Sequence, residues 1–156
     1  MQARHKKAFT MLELIFVIVV IGILSAIAIP KFAATRGDAV MVKAKSTVSA
    51  VRSSVATERQ KRILNGTFTP VTQLSSATGV ANGRLVFDGF AGVTSNPALE
   101  YPVLACTATT SQECWYMPNA ATYRFNLPTG GSVDFNLTRS RFICSTTDQN
   151  CLDLTQ

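Results

Sequence analysis

The stretch FTMLELIFVIVVIGILSAIAIP, residues 9–30, decides how the rest of the chain is read. Between Leu14 and Ile29 it holds no charged residue, and Ser25 is its only polar side chain there. As a helix rising about 1.5 Å per residue, Phe9–Ile29 would cover roughly 30 Å, the thickness of a bilayer's hydrocarbon core. Arg4, Lys6 and Lys7 precede it, and Lys31, Arg36 and Asp38 follow with a weaker balance. Basic residues stay on the cytoplasmic side, so the start lies in the cytoplasm and the bulk of the chain outside. A secretory signal peptide would share the basic start, the apolar run and a small-x-small site at Ala26-Ile27-Ala28. The run is long for such a signal, and Glu13 stands inside it. A carboxylate at the centre of a membrane helix costs on the order of 2.5–3.5 kcal/mol, less near the edge, and is kept where it has a task. A discarded signal gives it none.

Lys6-Lys7-Ala8-Phe9-Thr10-Met11-Leu12-Glu13-Leu14-Ile15 resembles the leader and cleavage region of class III prepilins. That pattern has a short basic leader, a small residue, then Phe-Thr-hydrophobic-hydrophobic-Glu opening an apolar helix. Ile21–Pro30 is similar to the remainder of the same helix, its proline included. The family comprises type IV pilins, type II secretion pseudopilins and competence pseudopilins. The resemblance is specific over residues 6–39, generic to about residue 62, and silent on 65–156. It implies an α+β, pilin-like fold, in which a long amino-terminal helix, part membrane anchor and part amphipathic, packs on a small antiparallel β-sheet head. The layout expected is a cleaved leader over 1–8, a transmembrane and filament-core helix over 9–30, an amphipathic helix over 31–64 and a β-rich periplasmic head over 65–156.

By the same resemblance, a prepilin peptidase cuts between Ala8 and Phe9 and methylates the new amine of Phe9. Ala8 departs from the pattern, which has Gly there; alanine is the nearest steric substitute. Glu13 would pair with the cationic amino terminus, at Phe9, of an adjacent subunit. An unpaired charge buried among apolar helices is very costly, so a displaced subunit would leave two of them. That makes the pairing a register device. Partners implied are further copies of the chain, the peptidase and an inner-membrane assembly platform.

Working outward, Pro30 lacks an amide donor and should kink the helix, while Gly22 lowers helix propensity nearby. Gly22 reads equally as a place of close helix packing. Val40, Ala44, Val48, Val51 and Val55 then recur at helical spacing and predict an apolar stripe docked on the head. Asn65-Gly66 is a stop signal. Tyr123, Phe125 and Leu127 alternate with polar residues, as do Val133, Phe135 and Leu137 after Pro128-Thr129-Gly130-Gly131. These runs predict an antiparallel hairpin. Arg141–Cys144 and Leu85–Phe90 read as further strands, and the rest of 67–111 as loops.

The net charge is +6, concentrated in the leader and in residues 31–62, where eight basic residues face Asp38 and Glu58. On one helix this reads first as a solvated face, or one paired with neighbouring subunits. The four cysteines, Cys106, Cys114, Cys144 and Cys151, suggest disulfides and an oxidising compartment. Three connectivities are open, the sequence-local one (Cys106–Cys114, Cys144–Cys151) being preferred. Their spacing fits no zinc finger. The single histidine, His5, lies in the leader, which leaves no His-based triad or metal cluster in the mature chain. Asp148, Asn150 and Asp153 group oxygen ligands that could hold calcium, but without an EF-hand's spacing; a polar turn is the first reading. Asp134-Phe135-Asn136-Leu137-Thr138 resembles a bacterial glycosylation sequon inside an expected strand.

The function expected is structural, with no catalysis and no cofactor. The chain waits in the bacterial inner membrane with its head in the periplasm, then polymerises into a pseudopilus or surface pilus. The small head favours a pseudopilin of type II secretion or DNA uptake, with a type IV pilin close behind. One alternative is a nucleic-acid-binding component of DNA uptake, although residues 38–62 contain no aromatic residue for base stacking. The other is a secreted domain released after Ala28.

Overall fold

The computed structural model describes residues 9–80, 83–91, 93–145 and 149–156, without the side chains of Ala33 and Ala34. The chain divides into two compact units, one through Asp38 and one spanning Ala39–Gln156. Helix α1, Met11–Leu64, contributes to both and includes Pro30. In the first unit its large apolar side chains are exposed, from Leu14 to Phe32. In the second unit one face of α1 is buried: Ala44, Val48, Val51 and Val55 are at most 2% exposed, with Val40 packed partly against them. The helix ends as a Schellman motif. Gly66, at φ 73°, donates to the Ile63 carbonyl at 2.9 Å, and Thr67 donates to Arg62 at 2.8 Å. A left-handed residue is needed there, and glycine adopts it without a Cβ clash.

The head is built on a four-stranded antiparallel meander, β3 (Cys114–Asn119), β4 (Thr122–Asn126), β5 (Ser132–Thr138) and β6 (Arg141–Cys144), in that spatial order. Two short strands, β1 (Leu85–Val86) and β2 (Val103–Leu104), pair separately. The β4–β5 hairpin matches Tyr123 with Phe135 and Phe125 with Val133. Its inward side chains, with Trp115 and Phe142, form the core that covers the stripe of α1. Phe87 lies among them, with ring centroids 5.1 Å from Tyr123 and 5.4 Å from Trp115. On the opposite sheet face Arg124 grips Asp134 through both oxygens, at 2.5 and 2.7 Å, and donates to the Tyr116 hydroxyl. The hydrogen bonds to Asp134 and Tyr116 raise the guanidinium's pKa above its ordinary value.

Several expectations need correction. Leu85–Phe90 is not one strand: it breaks after Val86, because Phe87 turns to φ 65° and donates its amide to Ser75 Oγ at 2.9 Å. Asp88 then receives the Ser76 amide at 2.7 Å. Beyond it Gly89 closes a tight corner, where a Cβ would come 2.3 Å from the Val93 carbonyl oxygen. Strand β3 went unrecognised in the sequence because Trp115-Tyr116-Met117-Pro118 does not alternate. A register shift between Tyr116 and Asn119 accommodates the proline. The region around Asp148–Asp153 is not a polar turn over its described part, since Gln149–Thr155 forms helix α2.

The basic residues of α1 also differ from a merely solvated face. Arg52 donates to the Phe142 carbonyl at 3.1 Å, Arg59 to the Arg139 carbonyl at 3.0 Å, and Arg62, besides pairing with Glu58 along α1 at 2.9 Å, to the Pro70 carbonyl at 3.3 Å. Three guanidinium groups thus fasten α1 to its own head, while Lys43, Lys45 and Lys61 stay exposed. Burial disfavours the Glu58 carboxylate, but hydrogen bonds from Arg62 and Asn96, with the charges of Arg62 and Lys61, outweigh it and lower its pKa.

Two outcomes follow for the folded chain, with the single tryptophan, Trp115, as fluorescent probe. The buried Tyr123 hydroxyl lies 2.6 Å from the Leu74 amide, and burial pushes its pKa up to about 12. Tyr123→Phe strands that amide and should cost about 1–3 kcal/mol in urea unfolding; an unchanged midpoint would refute the bond. The depressed pKa of Glu58 means its stabilisation is full above the ordinary value of 4.5 and is lost as pH falls through the folded value. Glu58→Gln should therefore be less stable than the native chain at neutral pH and lose less on acidification, as read from melting temperatures across that range.

Candidate functional site: the amino-terminal helix

Helix α1 starts where it does because of Thr10. The Thr10 hydroxyl oxygen accepts the Glu13 amide at 3.2 Å, and its carbonyl accepts the Leu14 amide at 3.2 Å. Thr10 is thus the N-cap and Glu13 the third helical residue, an arrangement that a Thr-x-x-Glu spacing announces. The sequence reading missed this, having taken Thr10 only as part of a resemblance. Phe9 precedes the helix and is 82% exposed. Ala8 lies outside the described residues, so the geometry begins at Phe9.

Glu13 sits in the first turn and is exposed. Four amide donors at a helix start lack intrahelical partners and give that end a partial positive charge, which favours a nearby carboxylate. Glu13 therefore has a weak electrostatic reason to be where it is even within one chain. It has a stronger use for a full cation, because the Coulomb term between unit charges rises several-fold as water is excluded.

Beyond Glu13 the helix is apolar all round. No residue of its most apolar window is buried, and it is long and apolar enough to cross a membrane. Side chains such as Leu14, Phe16, Ile18, Ile21, Leu24, Ile27 and Ile29 are all more than half exposed. Burying each is worth roughly 1.5–3 kcal/mol. An uncovered apolar surface of this extent marks a membrane or protein contact. Gly22 has open space about it: a Cβ there would meet nothing within 4 Å. Pro30 is exposed within α1 and has no N–H for the carbonyl of Ala26, one turn earlier.

The remaining candidates lie in the head. Cys106 is bonded to Cys114 and Cys144 to Cys151, with Cα atoms 5.3 and 6.1 Å apart. The second bond ties α2 to β6. Asp148 lies outside the described residues. Asn150 and Asp153 are exposed on α2, where Asp153 accepts from Gln149 at 2.7 Å, and among the described residues no group of three acidic, His or Cys side chains is placed to hold a metal ion. In the sequon-like stretch, Asn136 accepts from Thr122 at 2.9 Å across β4 and β5.

Comparison with known proteins bears on the same segment. The model of the prokaryotic N-terminal methylation motif matches residues 3–29. The type IV narrow pilus major component PilA5 of Thermus thermophilus is 48% identical over 50 residues, which is 32% of this chain and 43% of that protein. The match thus spans less than half of the relative's length. No solved structure matches the chain. The exposed apolar helix, capped by Thr10 and carrying a carboxylate in its first turn, coincides with the segment that the methylation motif matches. The amino-terminal segment of the chain thus carries the prokaryotic N-terminal methylation motif and is similar, over 50 residues, to a type IV pilus component.

Proposed function

We propose that the chain is the membrane-anchored precursor of a helical filament subunit, cut between Ala8 and Phe9 and methylated on the Phe9 amine. The observation that carries this reading is the apolar surface of α1 before Pro30, which the chain leaves uncovered and which a bilayer or a bundle of identical helices would cover. In the precursor, lipid surrounds it and the head sits in the periplasm. In the filament, the same surface packs against other copies, and Glu13 takes the methylated amine of a neighbouring Phe9 as its partner. Pro30 and Gly22 are the places where α1 yields as copies pack. The role is structural rather than catalytic.

The likeness to a pilus component favours a type IV pilus-like filament over a secretion pseudopilus. The DNA-binding alternative loses support from the head: Arg52, Arg59 and Arg62 are engaged by head carbonyls and Glu58, which leaves fewer cations for phosphates. Release of a soluble domain after Ala28 would cut inside α1 and discard the surface on which the reading rests.

Three measurements test this. Mass spectrometry of the mature chain should find 148 of the 156 residues, beginning at a methylated Phe9; a start at Ile29 would replace the filament with a released domain. Glu13→Ala should be processed and held in the membrane yet yield no filaments, and normal filaments from it would remove the proposed pairing. Thr10→Ala should cost about 0.5–2 kcal/mol of helix-start stability. In micelles the Glu13 amide should then exchange roughly tenfold faster, and unchanged exchange would dismiss the cap.

A further inference from the structure

Two unlike surfaces flank the docked stripe of α1 in the head, and their chemistry is complementary. At about 100° per residue, Arg52, Arg59 and Ile63 lie some 50–90° to one side of the buried stripe, and Ser54 and Glu58 some 50–90° to the other. On the first side a shallow socket opens at the carboxyl end of α1. Ile63, Phe68 and Pro70 line it with Arg59 and Arg139. Phe68 is 81% exposed, and Arg139 and Arg141 are exposed with no hydrogen-bond or ion-pair partner for their side chains among the described residues. A large aromatic ring open to water in a socket lined by the free guanidinium group of Arg139, with Arg141 two residues further on at the start of β6, is a poor end-state for a monomer.

On the opposite side the segment after Asn96 runs along α1. Asn96 donates to Glu58 at 3.4 Å, and Ser54 donates to the Ala98 carbonyl. Glu100 and Tyr101 follow directly. Tyr101 is 83% exposed, and Glu100 is exposed with no hydrogen-bond or ion-pair partner among the described residues. Lys61, the nearby cation on this flank, acts on Glu58 instead.

We infer that heads of neighbouring copies join through these two surfaces, Tyr101 and Glu100 of one copy seating in the Phe68–Ile63 socket beside Arg139 and Arg141 of the next. This rests on the filament reading above. The surfaces are different and lie on opposite flanks, so each copy uses both and the contact repeats head to tail, which gives an open helical array rather than a closed dimer. The aromatic ring supplies the buried apolar contact, and the Glu–Arg pairing at the rim fixes orientation and rejects other alignments.

The test uses filaments assembled by the full-length native chain and by variants. A photo-crosslinking phenylalanine analogue at position 101 should join neighbouring copies, with the partner peptide falling within residues 63–70 or 139–143. A partner peptide elsewhere, or filaments that give no intermolecular product, overturns the inference and leaves the filament itself standing. Glu100→Arg alone, and Arg139→Glu with Arg141→Glu, should each lower the sheared filament yield at least about tenfold, since like charges then face each other. The three changes combined should recover most of it. A combined variant no better than its parents, with Trp115 fluorescence showing folded heads throughout, also overturns the inference. If the native chain forms no filaments at all, the head contact and the proposed function fall together.

Discussion

An apolar helix surface that one chain cannot cover is the constraint on which the rest of this molecule depends. From Leu14 to Phe32 the side chains of α1 meet nothing of their own chain that buries them. Water is an unfavourable place for such a surface, because each large side chain forgoes roughly 1.5–3 kcal/mol of burial. Such a surface calls for a lipid or protein contact to cover it. Glu13 and Thr10 sit at the end of that surface and give it polarity: a capped start, a carboxylate in the first turn, and an exposed Phe9 before it.

The same helix solves the opposite problem after Asp38. There it offers only a stripe, Ala44 to Val55, and its own head covers that stripe with an aromatic core. Arginines reinforce the docking by donating to carbonyls that the sheet leaves open, at Phe142 on the edge strand β6 and at Arg139 in the turn before it. Buried carbonyls are costly without donors, and a long guanidinium reaches them where no backbone amide does. The disulfide from Cys144 to Cys151 and the Arg52 contact to Thr155 hold α2 to the same region. The head is therefore closely fastened to the second half of α1.

The hairpin of β4 and β5 was legible because its outer face meets water and its inner face the core, so polarity alternates with the pleat. β3 was not, since Tyr116 on the outer face is covered by Arg124 and the alternation fails. Phe87 looked like a strand residue but occupies a left-handed corner at the centre of the aromatic cluster. No local pattern reveals that, because the stabilising contacts come from residues far along the chain. The short helix α2 was hidden for a similar reason: its two buried residues, Cys151 and Leu154, are too few to show a period.

By itself the sequence determined the long helix, the change from all-round apolarity to a single stripe, the Gly66 stop and the motif at its start. These are local: they depend on spacing along one helix and on the solvent each face must meet. Only the tertiary structure decided which cations of α1 are engaged with the head, where strands β1 to β3 pair, and that Phe68 and Tyr101 remain open on different flanks. Those outcomes turn on contacts between residues distant in sequence, where the partner, and not the residue's own character, determines whether a side chain is satisfied.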